Sequence, residues 1–519
     1  MVQAIIDALQ IRSYATLSLG DGTCAVERVL ASAAIIADAV TLLIPPGSLE
    51  TDPSNSDTYL CVDGGRVHLP DTVHVFEVAD TGAKELLPVL SEIGAGSEAV
   101  VYKRADEPWM LVDEAQRLID EHTRFRAHYT FADGYPSGAT PVVLSPSLPR
   151  LLSVLATDDD DTAKHDWIFT ILQRDINSFD VETLLSPVDF RMLRITFRCE
   201  TRADYVLCSR FQPLLCDAET GEILPKERYV EAVSANYSRL RTLPMFMAVQ
   251  ITDASPQKIL YSPYAQEPSQ QNGVNTHMAP ERFRELVGKL SAFSPEAVVG
   301  IGPHGEPLQH PDLEAVIDTV CRTESLSLLI ETSGVGLSAD EVVTLARRYG
   351  NRVTWIVALD AIDEQVYRRI RGEGYDAARA CAEALIESSP DTSYVQAVRM
   401  KETEEHLETF WRYWKEKTDH IIVQKYDDYC GVLPPRKVTD LSPVRRFPCW
   451  HNKRDLHVFL DGTVPRCRED IHARYSLGNL FLEAIDDIWT RGESLHLEHV
   501  QGRYPDICEH CDEYYTFNF

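Results

Sequence analysis

The chain has 519 residues, too many for one ordinary hydrophobic core, so two to four domains are expected. Its 44% hydrophobic and 9% aromatic residues suit globular folding, and no stretch approaches the roughly 20 apolar residues of a membrane span. Fifty Lys plus Arg against eighty Asp plus Glu give a formal charge of −30, which repels phosphate backbones and anionic lipid, so neither nucleic acid nor a membrane is expected as a partner.

The first residues, MVQAIIDALQIRSYATLSL, carry no basic stretch ahead of their apolar run and no small-residue cleavage site. They read as a first strand, and the expected location is cytoplasmic. In that reducing setting the twelve cysteines are expected to be thiols or metal ligands. Cys24, Cys61, Cys199, Cys208, Cys216, Cys321, Cys381 and Cys430 are scattered and read as small buried hydrophobes. The other four fall within the last 71 residues.

Over residues 1–157, short apolar runs (AIIDAL, AVTLLIPP, VHVFEV, EAVVYKRADEPW) alternate with helical patterns such as AVERVLASAAII and LVDEAQRLIDEHTRF. This is the text of a doubly wound α/β domain. Asp158 to Asp161 read as a solvated linker and a boundary. Residues 158–245 are mixed and read as connective, with no motif that attaches to chemistry. From Phe246 six strands alternate with helices: FMAVQIT, EAVVGIG, LSLLIETS, RVTWIVALD, SYVQAVRM and HIIVQKY. Six such units predict a right-handed parallel array, a partial (β/α)6 barrel over residues 246–430, with ligands at the C-terminal strand ends.

Residues 445–519 form a cysteine-rich tail. LHVFL and TVPRC flank Asp461-Gly462, a dipeptide suited to a tight hairpin turn, so the two runs are expected to pair and to fold Cys467 back beside the first. Cys508 and Cys511 are two residues apart, a spacing that lets two thiolates face one centre. Cys449, Cys467, Cys508 and Cys511 therefore suit one metal centre, iron-sulfur or zinc. Cys430, His451 and His510 read as packing or supporting groups, since four cysteines complete a set.

The strand-end motifs GIGPHGEPLQHPDLE, IETSG and ALDAIDEQVYRRIRGEG, in this order, resemble the radical S-adenosylmethionine superfamily over roughly residues 246–426. The resemblance implies that Gly305, Glu306 and Pro307 hold the methionine amino group of the cofactor, with His304 standing where a glycine is usual. It also implies that a nucleoside or S-adenosylmethionine (AdoMet) would lie between Glu306, the turn Thr332 to Gly334, and Asp360. Members of the superfamily ligate their reducing cluster with C-x3-C-x2-C after the first strand. In ITDASPQKILYSPY those positions are Ser255, Ile259 and Ser262, with Tyr261 as the expected aromatic. Thiolates hold iron because they are soft and charged, and neither a serine hydroxyl nor isoleucine replaces them. AdoMet binding is left open and its cleavage is not expected.

The tail resembles the SPASM or twitch extension of the same enzymes, whose C-x(9 to 15)-G-x4-C pattern is met by Cys449, Gly462 and Cys467. Only four cysteines stand where the full form has seven, which implies one auxiliary [4Fe-4S] cluster, with zinc as the rival. GTCAVERVLASAA, KRADEPWMLVDEAQRLIDEH and YTFADGYPSGATPVVLS resemble nucleotidyltransferases of the glycosyltransferase-A (GT-A) type, which implies magnesium at Asp106. The phosphate loop departs from that pattern, with no Gly pair and no Lys, only Arg12, so a degraded nucleotide site is expected. The whole resembles the spiro-SPASM proteins of spirochaetes. The expectation is an iron-sulfur protein with a silent barrel, acting with a redox protein, a peptide or a small molecule. The competing expectation is a nucleotidyl or glycosyl transferase acting through Asp106 and magnesium.

Overall fold

Runs of Val, Ile, Leu and Ala too apolar for one-sided burial need cover on both faces, and parallel sheets sandwiched by helices provide it. The computed structural model describes residues 1–54, 57–264, 276–302 and 304–516 and divides into two units, Met1–Thr242 and Leu243–Phe519.

The first unit holds β1 (Val2–Asp7), β2 (Ala39–Ile44), β3 (Leu49–Thr51), β4 (Thr58–Val62), β5 (Gly65–Leu69), β6 (Val73–Glu77), β7 (Ala99–Arg104), β8 (Tyr129–Asp133), β9 (Val142–Leu144) and β10 (Val181–Leu185). Seven of these form one sheet in the order β10-β8-β9-β7-β1-β2-β6. Only β9 runs antiparallel to its neighbours. Every residue of the central β7 is buried. Strands β3, β4 and β5 make a separate antiparallel sheet that the apolar pattern did not announce. Asp63 and Gly64, both at positive φ (45° and 84°), turn β4 into β5.

The stretch read as connective belongs to this unit. It supplies β10, paired in parallel with β8, and the helices Arg202–Leu215 and Lys226–Ala235. Phe197 packs on Phe211 (ring centroids 5.2 Å) and edge-on to Tyr229 (6.4 Å), so this segment has a core of its own aromatic residues. The boundary drawn at the aspartate run moves to residue 242. Asp160 of that run is paired with Arg174 at 2.5 Å.

The second unit follows the expected rhythm. Strands β11 (Phe246–Val249), β12 (Val298–Ile301), β13 (Ser327–Thr332), β14 (Val353–Ala358), β15 (Ser393–Arg399) and β16 (Ile421–Lys425) lie side by side in sequence order, all parallel. The intervening helices start on local caps. Ser338 and Glu341 form a capping box for Ala339–Tyr349, and the Asp363 carboxylate accepts the amides of Gln365 and Val366 at the head of Glu364–Arg371.

The tail adds β17 (Asp455–Val458), β18 (Thr463–Pro465) and β19 (Ser476–Asn479). Here the expected hairpin is corrected. The Asp461-Gly462 turn forms, with Gly462 at φ 85° and the Phe459 amide on the Thr463 carbonyl at 2.9 Å. The strands flanking it then part: β17 pairs in parallel with β11, and β18 pairs with β19. The reason is the open edge of β11, whose unpaired amides and carbonyls need a partner and which offers buried Met247 and Val249 to Leu456 and Val458. Tail and barrel therefore share one sheet and one core. Among the described residues no helix is long and apolar enough to cross a membrane.

Candidate metal centre and barrel mouth

After β11 the chain passes through buried Ile251 and Thr252 into the loop that ends at Tyr264. Gly305 lies against this loop at φ 105°, and a Cβ there would come within 2.1 Å of the Thr252 carbonyl oxygen. Only glycine lets the turn after β12 approach so closely. At the three positions where cluster ligands would stand, Ser255 donates to the Gln257 carbonyl at 3.0 Å, and Ile259 and Ser262 carry no thiol.

The loop is held by hydrogen bonds from residues between those positions. The Gln257 amide group donates to the Tyr367 hydroxyl (2.8 Å) and the Glu373 carbonyl (2.6 Å). The Tyr261 hydroxyl donates to Asp360 Oδ2 at 2.8 Å, and Arg371 donates to the same carboxylate at 2.7 Å and to the Tyr261 oxygen. Asp360 Oδ1 accepts the Val398 amide at 2.8 Å. The Asp360 and Arg371 side chains are 0% and 3% exposed. This network fixes the loop to the ends of β14 and β15 through a buried ion pair.

Glu306 is buried beneath the ends of β12 and β13. One carboxylate oxygen accepts the Leu308 amide (3.0 Å) and the Thr332 hydroxyl; the other accepts the Ser333 amide (2.7 Å) and hydroxyl (2.5 Å). Burial raises its pKa, against these hydrogen bonds. A ligand amino group would reach this carboxylate only by displacing one of them. Pro307 opens the short turn Pro307–Gln309, and Gly334 (φ 74°) packs on the backbone of Ala378. The structure thus brings Gly305, Glu306, Pro307, Thr332 and Gly334 to adjacent strand ends, while Asp360 is committed to Arg371 and Tyr261.

A cavity of about 440 Å³ opens there, lined by Gly305, Glu306, Thr332, His304, His457 and Arg468 among others. His304 stands edge-on to Tyr264, with ring centroids 4.3 Å apart, and 6.4 Å from His457. His304 and His457 are 4% and 5% exposed, and among the described residues neither ring nitrogen of either has a hydrogen-bond partner. His457 lies on β17, so tail and barrel build this wall together.

Burial, with the nearby charges of Arg468, Arg454 and His451 and despite Asp455, holds His457 down to about 3. His304, facing His457 and Arg468, is likewise lowered by burial. An imidazole free in the unfolded chain takes up its proton near pH 6.5, which the folded protein refuses until far lower pH. Stability therefore falls as pH drops from about 6.5 toward 4, by on the order of 2 kcal/mol per imidazole at pH 5. His457→Gln should flatten the pH dependence of urea unfolding between pH 7 and 5.

Cys449 precedes the helix Trp450–Arg454 and donates its amide to His499 Nδ1 at 3.2 Å. Cys467 follows β18, and Cys508 and Cys511 sit in and just after the turn Asp506–Glu509. Burial, with the other thiols adding to it, raises Cys449 and Cys467 and pushes Cys508 up to about 12. The nearby Cys430 thiol lowers Cys511 and is itself raised. Donor chemistry fits a soft metal, since the donors are thiols, with Arg446 and Arg466 the cations beside Cys508. Among the described residues no three His, Cys, Asp or Glu side chains are closed to the spacing of a bound metal ion. Of the three neighbours read as packing or supporting, His451 is taken by Asp455 at 2.6 Å. Cys430 is among the neighbours of the set that the sequence assigns as packing or supporting groups.

Asp106 is 1% exposed. Arg104 lies 3.4 Å from one of its oxygens and Arg198 3.5 Å from the other, while neighbouring Glu107 is paired with Lys103 and His165, each at 2.6 Å. Cations already face both carboxylates, so these residues do not fit a magnesium ion, and no step is derived through one.

Residues 449–512 match the family model SPASM, an iron-sulfur cluster-binding domain, and that defines the class to which the tail belongs. The chain belongs to the same family as a protein of Treponema pallidum (strain Nichols) named "Uncharacterized protein", 37% identical over 366 residues, 68% of this chain and 99% of that one. A second "Uncharacterized protein" of that organism is 37% identical over 68 residues, 13% of this chain and 31% of its own. Among solved structures, Streptococcus suis SuiB bound to S-adenosylmethionine superposes at TM-score 0.41 with 14% identity, over 52% of this chain and 72% of that one. BtrN in complex with AdoMet and 2-DOIA gives 0.34 and 19% over 52% and 94%, and native anSMEcpe with bound AdoMet gives 0.39 and 12% over 49% and 83%. Superpositions this loose fix neither fold nor site.

Proposed function

We propose that this chain is an iron-sulfur protein of the radical SAM/SPASM type that keeps one auxiliary [4Fe-4S] cluster and has lost the cluster that cleaves AdoMet. Cys449, Cys467, Cys508 and Cys511 would hold the auxiliary cluster. Once bound there, it supplies a one-electron redox centre and a cross-link for the tail. The observation that carries the reading is the loop after β11. Ser255, Ile259 and Ser262 offer no thiolate, and Gln257, Tyr261 and Arg371 bind the loop in place by hydrogen bonds.

The barrel's own residues favour binding over chemistry. Neutral His304 and His457, each with one donor and one acceptor nitrogen, and the unpartnered Tyr264 hydroxyl offer hydrogen bonds to an uncharged small molecule or a peptide segment in the cavity. Incubation with AdoMet and a strong reductant is expected to give no 5′-deoxyadenosine above the protein-free control. Stoichiometric 5′-deoxyadenosine would overturn the reading.

A second reading, a nucleotidyl or glycosyl transferase, is favoured by the mainly parallel seven-stranded sheet of the first unit. The charge-compensated state of Asp106 weighs against it. Nucleotide-sugar turnover that Asp106→Ala abolishes would establish it, and none is expected.

A further inference from the structure

On the adjacent strands β17, β11, β12 and β13, the residues His457, Ala248, Gly300 and Leu329 stand abreast in register. All four line the cavity at the barrel mouth. The middle two carry only a methyl group and a hydrogen, so a hollow opens between the outer two. Phe246 covers part of its floor: a Cβ on Gly300 would come within 2.5 Å of the Phe246 ring. Ile356 and Ala358 of β14 extend the same apolar wall.

Four acids and three bases line this cavity, and all but one are matched. Glu306 accepts four hydrogen bonds, Asp427 pairs with Arg468 at 2.5 Å, and Asp455 pairs with Arg454 at 2.5 Å and His451 at 2.6 Å. Of the other bases, Arg371 pairs with Asp360 at 2.7 Å and Lys425 with Asp512 at 2.8 Å. Glu331, on β13, is the exception. Its carboxylate accepts one hydrogen bond, from the Gln396 side-chain amide at 3.1 Å, and among the described residues it has no ion-pair partner. Burial raises its pKa, against Gln396 and the more distant Arg468 and Arg371. A carboxylate beside an apolar hollow is costly to ionise until a cation meets it.

We infer that the cavity takes a primary ammonium on an unbranched apolar arm, of the kind a lysine side chain carries, with the cation on Glu331, the arm over Ala248 and Gly300, and uncharged polar atoms on His304 and His457. This rests on the barrel acting by binding rather than by cleaving AdoMet. The histidines point to an occupant independently of the acid, since both are more than nine-tenths buried and among the described residues their ring nitrogens have no partner. Being neutral, they do not repel an ammonium, and each offers one donor and one acceptor to amide groups beside it. Glu306, where the resemblance places the amino group of AdoMet, has no such freedom, because its two oxygens already accept four bonds.

The test is calorimetric titration of the anaerobically purified full chain with N-acetyl-lysine N-methylamide, with n-hexylamine, and with N-acetyl-norleucine N-methylamide, which keeps the arm and lacks the amine. At least one amine is expected to bind roughly tenfold tighter than the norleucine compound, and E331Q should erase that preference. A surface that carries a formal charge of −30 also attracts amines, but such loose binding is insensitive to the loss of one carboxylate. A248V, which narrows the hollow and leaves every charge, should weaken the amine as well. Urea unfolding would establish that both variants are folded. Binding of the lysine compound alone would assign the ammonium to a peptide, and equal binding of n-hexylamine to a free amine. No amine binding, a norleucine compound bound as tightly, or amine binding unchanged in E331Q or in A248V would overturn the inference and leave the iron-sulfur reading standing. Stoichiometric 5′-deoxyadenosine from AdoMet would remove that reading whatever the amines do.

Discussion

Arg371→Leu should lower the stability of the second unit by about 3–5 kcal/mol, the usual cost of removing one partner from a buried ion pair. The Asp360 carboxylate would keep the Val398 amide and the Tyr261 hydroxyl but would remain a charge in the interior with no cation against it. The loss also frees Tyr261 and Gln257, both of which Arg371 contacts, so the loop at residues 251–264 should open before the strands do. Hydrogen exchange read by mass spectrometry separates this unit from the first one. The expected pattern is lost protection at 251–264 and 358–371, with residues 99–104 unchanged. A stability change below about 1 kcal/mol would mean that the pair is screened and does not hold the loop.

Cys508→Ala should cost the protein more than nine-tenths of its iron. Cys508 is the buried member of the four, its carbonyl also accepts Arg446 at 2.5 Å, and its turn positions Cys511. Exchange protection should fall over 499–512, beyond Val464, Leu480, Ile485, Ile488 and Trp489, which pack into the barrel core. It should persist at 455–458, because β17 is bonded to β11 and belongs to the barrel sheet. Retained iron with a loosened 455–458 would reverse the roles assigned to cysteine and strand.

The six strand-helix units of the barrel were legible because each strand is a short apolar run and each helix has a strong apolar stripe or a cap, as at Ser338 and Asp363. The SPASM tail was legible in the spacing of its cysteines. What escaped was set by tertiary contact. LHVFL looks like half a local hairpin, and only the free edge of β11, two hundred residues earlier, draws it away. Residues 158–245 look connective because their strand is short and only partly buried, with β10 made by completing a sheet begun at residue 2. Asp106 stands where the resemblance implies a magnesium ligand, and the guanidinium groups facing it include Arg198, ninety-two residues on.

Iron, acid-labile sulfide and zinc measured per chain on anaerobically purified wild type test the central claim most directly. One cluster on the tail and none on the loop after β11 predicts about four iron and four sulfide with negligible zinc. About eight of each would place a second cluster on a chain that offers no thiols for it in the loop after β11, and about one zinc without sulfide would make the tail a structural zinc site.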